Sequence, residues 1–158
     1  MASFPTETYC GSQNERYPVP MDIFSQKKRS EVMARVRSKD TGPELAVRRF
    51  MHARGLRFRL HRRDLPGCPD LVFPSRRVVV FVHGCFWHRH PGCKRSTMPT
   101  TNASFWQAKF EATVARDAAS LAALNMAGWN VLVVWECQVG VEVLVQLYES
   151  IAAIPIRN

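Results

Sequence analysis

Two short runs of the sequence are almost entirely apolar, and they restrict the fold more than any other feature. Residues 78–82 read VVVFV, and residues 129–135 read WNVLVVW. A strand with one face in water alternates polar and apolar residues, whereas a strand that is apolar on both faces must be covered on both sides. Both runs are far shorter than the roughly 20 residues that cross a bilayer. They therefore predict buried strands in the interior of a covered sheet.

The segments around these runs have the periodicity of helices and of shorter strands. Helices are predicted over residues 27–36, 41–55, 104–128 and 140–151, and further strands over residues 57–61 and 70–73. On the long third helix the expected buried side chains are Phe105, Phe110, Val114, Leu121 and Leu124. This order of elements predicts an α/β sandwich around a mixed central sheet, formed as one domain by residues 21–158. Residues 1–20 are polar and aperiodic, which predicts a flexible N-terminal arm.

The composition fits a single globular domain. The chain has 158 residues, 46% of them hydrophobic, which is enough for one core and excludes a collagen-like or a disulfide-dense scaffold. No positively charged segment followed by an apolar core stands at the N-terminus, so no secretory signal is predicted. We expect a soluble cytoplasmic protein, monomeric and without a membrane partner.

The positive charge is concentrated in one third of the chain. The formal net charge is +9, yet residues 27–77 alone hold 15 basic and 5 acidic side chains. A localised basic surface is typical of proteins that bind nucleic acid, because contacts with phosphates release condensed counterions. The alternative is a solvated basic face that only keeps the protein soluble.

A cluster of cysteine and histidine residues predicts a metal site. Cys85, His90 and Cys93 fall within one irregular loop over residues 83–101, and Cys137 follows the second apolar run. Three thiolates and one imidazole are a usual ligand set of structural Zn²⁺. Such an ion would also explain how so long a loop is ordered. The alternative is three separate thiols and a surface histidine.

A carboxylate and two further histidines indicate a catalytic site beside this loop. Asp70 begins one strand and His83 ends the next, so in an antiparallel hairpin they lie together. The Asp70 carboxylate and the Val82 carbonyl oxygen are then placed to hold one Mg²⁺. His83 and His88 would transfer protons near neutral pH, with Glu44 as a candidate partner. Taken singly, each residue also has a structural interpretation, such as a strand-end carboxylate or a favourable charge at a helix start.

Three aromatic side chains are candidates for insertion into DNA. Phe86 and Trp87 lie within the predicted metal loop, and Trp106 lies in the first turn of the long helix. Large apolar side chains beside a basic surface can wedge between base pairs. Packing beneath the metal is an equal alternative for Phe86 and Trp87, and residence in the core is the stronger one for Trp106.

Several of these segments resemble the very-short-patch-repair (Vsr) DNA mismatch endonucleases. The resemblance is carried by residues 65–70 (LPGCPD), 81–88 (FVHGCFWH) and 131–137 (VLVVWEC), and it extends over about residues 28–137. It implies a restriction-endonuclease-like fold, a three-layer sandwich in which structural zinc pins the loop. It also implies Mg²⁺-dependent nicking of double-stranded DNA, 5′ of the thymine in a T:G mismatch left by deamination of 5-methylcytosine.

The resemblance also implies roles for individual residues. The following set carries over by position: Asp70 as the Mg²⁺ carboxylate, His83, His88 and Glu44 as the rest of the catalytic site, Asp117 as the residue that orients a catalytic histidine, and Phe86, Trp87 and Trp106 as the wedges. Two positions depart from the family pattern. Val82 stands where the family often has threonine, and Cys68 stands where a larger polar or basic residue is expected.

We therefore predict a bacterial, nucleoid-associated DNA mismatch endonuclease of very short patch repair, with other mismatch-repair proteins as candidate partners. Two alternatives stay open from the sequence. One is a nuclease of the same fold that cuts by sequence, in the manner of a restriction enzyme. The other is a zinc-stabilised DNA-binding module without catalytic activity.

Overall fold

The computed structural model describes residues 28, 31 and 39–157. In chain order, the elements of the continuous part are α1 (Gly42–Ala53), β1 (Arg59–Leu60), β2 (Leu71–Phe73), β3 (Val78–His83), α2 (Ala103–Met126), β4 (Asn130–Trp135) and α3 (Val141–Ala152). Lys28 and Glu31 are helical, in agreement with the helix predicted over residues 27–36, and both are exposed. The rest of that helix and the predicted arm lie outside the described residues. No helix in the described part is long and apolar enough to cross a membrane.

The four strands form one mixed sheet in the order β1-β2-β3-β4. β1, β2 and β3 pair antiparallel, and the register places Leu71 opposite Val80. β3 and β4 pair in parallel, with Val82 opposite Val134 and His83 opposite Trp135. Parallel neighbours need a crossover, and α2 supplies it. The predicted mixed sheet is confirmed, and it fits a restriction-endonuclease-like fold.

Two apolar clusters lie on opposite faces of this sheet, so the molecule has three layers. Because side chains alternate along a strand, neighbouring residues of β2 and β3 enter different clusters. The first cluster joins α1 and α3 to the sheet through residues such as Met51, Leu71, Val80, Leu147 and Ile151. The second joins α2 to the other face through Val72, Val79, Phe81 and Leu124, and Trp129 completes it. Every residue of β3 is buried, as its apolar run predicts, and so is every residue of β2.

The prediction of a buried interior strand is wrong for the second apolar run, residues 129–135. In the described part of the chain β4 lies at the edge of the sheet, with β3 as its one neighbour, and Val134 is its one buried residue. An edge strand is covered less completely than a central one, so an apolar run there stays partly exposed.

Part of the predicted burial on α2 is wrong. Phe110 and Leu124 are buried, but Phe105 is 59% exposed and Val114 is 44% exposed. The buried face instead follows Trp106, Phe110 and Thr113. Phe105 and Val114 each stand one position, or about 100° of helical rotation, away from a member of that face.

The strand predicted over residues 57–61 is also shorter than expected. Only Arg59 and Leu60 pair with β2, and both are exposed. Phe58 packs edge-on against Phe73, with ring centroids 5.7 Å apart. His61 has a φ of 45°, in the left-handed region, which ends the extended backbone.

A glycine in the turn before β2 provides a test of this packing. Gly67 has a φ of +72°, and an added Cβ would lie 2.9 Å from Cβ of Ser120 on α2. Gly55 has a φ of +80° but has open space around it. We expect Gly55→Ala to cost about 1–2 kcal/mol of unfolding free energy from its backbone conformation alone. Gly67→Ala should cost about 1–3 kcal/mol more from overpacking.

Urea unfolding of the two variants beside wild type measures the difference. Equal losses of unfolding free energy in the two variants would show that the close approach of the turn to α2 does not affect stability.

Candidate active site

A cleft of about 660 Å³ opens beside the ends of β2 and β3 and is bordered by α1 and α2. Its acidic and histidine lining is Glu44, His61, Asp70, His83, His88 and Asp117. Lys39, Arg63 and Arg116 add positive charge to the same walls. The structure thus brings the five predicted side chains Asp70, His83, His88, Glu44 and Asp117 to one cavity, although they come from five separate segments.

Asp70 is held at the bottom of this cleft by the neighbouring strand. Its Oδ2 accepts a hydrogen bond of 2.7 Å from the backbone N–H of Val82. The side chain is 18% exposed. The pKa of Asp70 is raised to about 6, mainly by burial; the Val82 N–H opposes this shift, and the negative charge of Glu44 adds to it. The ionised carboxylate is therefore poorly compensated by the protein, which is the setting in which a cation is bound favourably.

His83 and His88 lie face to face. Their ring centroids are 3.9 Å apart with an angle of 5° between the planes, and the edge of Trp135 also contacts His83. Burial is the main cause that lowers the pKa of His83 to about 4, and the neighbouring His88 adds to the effect. His83 is therefore a neutral imidazole near neutral pH. A tight turn, in which the His88 N–H donates to Gly84 O at 3.1 Å, brings His88 back over the strand end.

Asp117 fixes the orientation of His88. Its Oδ2 lies 2.6 Å from His88 Nδ1 across the cleft wall formed by α2. A carboxylate accepts hydrogen bonds, so Nδ1 carries a hydrogen, and in the neutral form of the ring Nε2 is left with a lone pair. This is the tautomer that a general base needs, with the carboxylate as the orienting group.

Glu44 lines the cleft, but Asp40, Thr41 and Arg48 already occupy its oxygens. Only 4% of the residue is exposed. Oε1 accepts from Thr41 Oγ1 at 2.9 Å, and Oε2 accepts from Asp40 N at 3.0 Å and from Arg48 Nη2 at 2.8 Å. Thr41 is the predicted N-terminal cap, although its hydroxyl bonds the Glu44 side chain instead of the backbone.

Two residues of the site escape the sequence interpretation. Arg48 is buried and bridges Glu44 and Asp40, and its Nη2 lies 2.8 Å from His61 Nε2. The spacing of Glu44 and Arg48 by four residues on a helix is a signal for their ion pair. His61 gives no such signal, because its place in the cleft depends on its left-handed backbone. Burial, followed by the positive charge of Arg48, lowers the pKa of His61.

Cys85, His90, Cys93 and Cys137 converge on one point beside the cleft. Their ligand atoms all lie within 4.8 Å of one another. His90 Nδ1 is 3.6 Å from the sulfur of Cys85 and 3.2 Å from that of Cys137. In a tetrahedral zinc site such S and N atoms would lie about 3.5–3.6 Å apart, from bond lengths of about 2.3 Å and 2.0–2.1 Å. The donor set therefore fits zinc in both chemistry and spacing.

The electrostatics of the cluster also favour a cation. Burial first, and then the nearby sulfurs of Cys85 and Cys93, raise the pKa of Cys137 to about 12. His90 stacks on Trp135, with ring centroids 4.3 Å apart. Cys85 is fully buried. Because Cys85, His90 and Cys93 follow β3 and Cys137 follows β4, the cluster joins the loop after β3 to the segment after β4.

The aromatic candidates pack against one another at the start of α2. Phe86 lies 5.1 Å from both Trp87 and Phe110 and 5.6 Å from Trp106, all edge to face. Trp106 is 9% exposed, as expected for a core residue, while Phe86 and Trp87 are half-buried. Phe105 adds an exposed ring at the same end of the helix. Cys68 lies apart from this cluster and lines the cleft.

Comparison with known proteins gives one consistent family. Residues 21–95 match the family of the DNA mismatch endonuclease Vsr. The type II nicking enzyme V.XorIIP of Xanthomonas oryzae pv. oryzae is 55% identical over 117 residues, which cover 74% of this chain and 85% of the relative. The type II nicking enzyme V.NmeAIP of Neisseria meningitidis serogroup A is 41% identical, over 74% and 83% of the two chains.

The mismatch endonuclease of Escherichia coli K12 is also similar, with a lower sequence identity. That protein, DNA mismatch endonuclease Vsr, is 39% identical over 116 residues, which cover 73% of this chain and 74% of the relative. In each of the three comparisons the identity extends over most of both sequences. The chain therefore belongs to the Vsr family of DNA mismatch endonucleases.

Proposed function

We propose that this DNA endonuclease nicks double-stranded DNA with Mg²⁺ on the 5′ side of the thymine in a T:G mismatch. The observation that carries the proposal is the convergence of Asp70, His83 and the oriented pair His88–Asp117 in one cleft with basic walls. A binding module without catalytic activity has no need of an oriented histidine or of a poorly compensated buried carboxylate. The family name and the name of the Escherichia coli relative support the mismatch as substrate.

Asp70 and the backbone carbonyl oxygen of Val82 are the groups proposed to hold Mg²⁺. When bound, the ion would polarise the scissile phosphate and neutralise developing charge. Asp70 Oδ2 is engaged by the Val82 N–H, so Oδ1 is the oxygen left to face the cleft. Replacing the family's threonine by valine at position 82 keeps the carbonyl, and the proposal therefore needs no hydroxyl there.

His88 is the proposed general base. Asp117 holds the proton on Nδ1, so Nε2 can accept a proton from the water that attacks phosphorus. The bond between phosphorus and the 3′ oxygen of the preceding nucleotide then breaks. His83 is neutral and stacked beside His88, and we assign it a hydrogen bond to the leaving oxygen. Glu44 lines the cleft, and we assign it the negative charge that it adds near Asp70.

DNA binding is assigned to the basic residues and to the aromatic cluster. Lys39, Arg63 and Arg116 lie on the cleft walls, and we assign them contacts with phosphates. Phe86 and Trp87 are half-buried in the free protein and would leave their mutual packing to insert beside the mismatch, with Trp106 beneath them. The proposed zinc ion is structural, because its four ligands leave no open position for a substrate.

A second candidate function is nicking by sequence without a mismatch. It is favoured by one observation, that several relatives are named type II nicking enzymes. Cleavage of paired duplexes that differ only in a T:G or a T:A pair separates the two. Faster nicking of the T:G duplex supports mismatch specificity, and equal rates on the two support the sequence-specific alternative.

The catalytic assignment predicts distinct losses for three variants. Asp70→Ala should abolish nicking of a T:G duplex in Mg²⁺, because it removes the proposed metal carboxylate. His88→Ala should lower the rate about 10²–10⁴-fold, as expected for loss of a general base. Asp117→Asn should lower it about 10–100-fold through loss of orientation. Gel mobility shifts should show that all three still bind the duplex.

His52→Ala is the matched control, since His52 is exposed on α1. It should nick at the wild-type rate. Full activity of Asp70→Ala or of His88→Ala would refute the role given to that residue.

Asp70 also gives a test of stability against pH. Burial raises the pKa of Asp70 from 3.8 to about 6, so the ionised form is less favourable in the folded than in the unfolded chain. This contribution lowers stability progressively as the pH rises from about 4 to above 6. In Mg²⁺-free buffer near neutral pH, Asp70→Asn should therefore raise the unfolding free energy by about 1–3 kcal/mol. Below about pH 4 the two proteins should be equally stable.

Urea unfolding at both pH values measures this effect. Asp64→Asn, at an exposed position, is the control and should change the unfolding free energy by less than about 0.5 kcal/mol. A loss of stability in Asp70→Asn near neutral pH would contradict the interpretation.

The zinc assignment predicts one ion per chain, bound through the four converging ligands. Cys137→Ser should lose the ion and lower the melting temperature, because the loop after β3 is then released from β4. Cys68→Ser is the matched control, since Cys68 lies outside the cluster and should leave the zinc content unchanged. Metal analysis by mass spectrometry and thermal unfolding check both. Full zinc content in Cys137→Ser would exclude that residue as a ligand.

A further inference from the structure

His61 forms a bridge between the buried ion pair of α1 and Asp70. Its Nε2 is 2.8 Å from Arg48 Nη2, and its Nδ1 is 3.8 Å from Asp70 Oδ1. Arg48 in turn contacts Asp40 and Glu44. The ring therefore has one nitrogen against a fixed cation and the other towards the carboxylate proposed to hold Mg²⁺.

The contact with Arg48 determines which nitrogen of His61 carries the hydrogen. A guanidinium group only donates hydrogen bonds, so Nε2 must accept one. The ring is then neutral, and its hydrogen is on Nδ1, the nitrogen that faces Asp70 Oδ1. The other oxygen of Asp70 is held by the Val82 N–H. Each carboxylate oxygen thus faces an N–H group, one from β3 and one from His61.

The guanidinium group also excludes a different interpretation of this region. Asp40, Glu44 and His61 lie close enough to bind a cation together. Arg48 already contacts all three, so the positive charge in this cluster is supplied by the protein itself. A second metal in the same place would have to displace a buried arginine. The cluster therefore serves to hold the His61 ring.

The backbone at His61 supports a role beyond sheet formation. Its φ of 45° is unfavourable for a residue with a side chain, although histidine tolerates it better than most. The position directly follows β1, which ends at Leu60. The turn swings the ring away from the exposed strand and into the cleft, where it is about four-fifths buried.

We propose that His61 is a positioning residue that holds the Asp70 carboxylate for cation binding and is itself locked by Arg48. The proposal rests on the proposed function, in which Asp70 binds Mg²⁺. At 3.8 Å the Nδ1–H is too far for a hydrogen bond, so it acts on Oδ1 as a fixed dipole. The ring limits rotation of the carboxylate while Val82 holds the other oxygen. His61 touches neither DNA nor the reacting atoms in this role.

Two substitutions separate the donor group from the shape of the backbone. Asparagine and glycine both tolerate a positive φ, but only asparagine places an N–H near the position of Nδ1. We expect His61→Asn to keep most of the cation affinity. His61→Gly should weaken it on the order of 10–100-fold, as is typical when a partner of a metal ligand is removed.

Binding of Mn²⁺ to the full-length chain, alone and with the nicked duplex, is measured by electron paramagnetic resonance. The Mg²⁺ concentration for half-maximal nicking is measured in parallel, and urea unfolding reports whether each variant is folded. Asp70→Ala identifies the titrated site. It must lose the Mn²⁺ binding that His61→Asn retains and that His61→Gly weakens.

The outcomes separate failure of this inference from failure of the proposed function. Equal Mn²⁺ affinity of His61→Asn and His61→Gly, whether both high or both low, overturns the role of the N–H. Wild-type affinity in Asp70→Ala shows instead that Asp70 is not a ligand, so the proposed site itself fails. Loss confined to His61→Gly, at matched unfolding free energy, supports the inference.

Discussion

Strand β3 pairs with a neighbour on each side, and the whole cleft depends on this double pairing. The antiparallel pairing with β2 brings the Val82 N–H onto Asp70. The parallel pairing with β4 places His83 opposite Trp135 and brings Cys137 beside the loop that follows β3. One buried apolar strand therefore fixes the proposed Mg²⁺ carboxylate on one side and the proposed zinc ligands on the other. Its apolar faces give it this central place, because they must be covered by helices on both sides.

The polar groups of the cleft are arranged for chemistry at some expense of stability. Asp70 is buried where no lysine or arginine side chain forms an ion pair with it among the described residues, and its pKa is raised to about 6. His83 is buried and kept neutral near neutral pH. Arg48 Nε is buried without a hydrogen-bond partner in the described part of the chain. The two apolar clusters on either face of the sheet offset these costs, as enzymes commonly require.

Much of the architecture could be predicted from sequence because its signals are local. The apolar run of β3 predicts a central strand, and the cap and first turn predict α1. The meeting of Asp70 with the end of β3 follows from the pairing of adjacent strands. The cysteine and histidine spacing likewise predicts the convergence of Cys85, His90, Cys93 and Cys137. Roles of these residues in catalysis and metal binding stay predictions.

Other features could not be predicted because they depend on tertiary contacts. His61 enters the cleft only through its left-handed backbone and its contact with Arg48. The exposure of Phe105 and Val114 depends on how α2 is rotated about its axis over the sheet. The positions of apolar residues along the helix do not determine that rotation. Trp106 belongs by burial to the core, yet it touches both Phe86 and Trp87. The sequence pattern alone cannot tell whether such a residue serves the packing of the core or the binding of DNA.

Helix α2 carries Trp106 near its start and Asp117 further along. The two residues are eleven positions apart, which is about three turns, so they project from nearly the same side with a separation of about 16 Å along the axis. A helix of this length is stiff. It therefore fixes the distance between the aromatic cluster and the carboxylate that orients His88. An engineered change of the aromatic cluster therefore has to keep the length and rotation of α2 between the two residues, because Asp117 otherwise loses its alignment with His88.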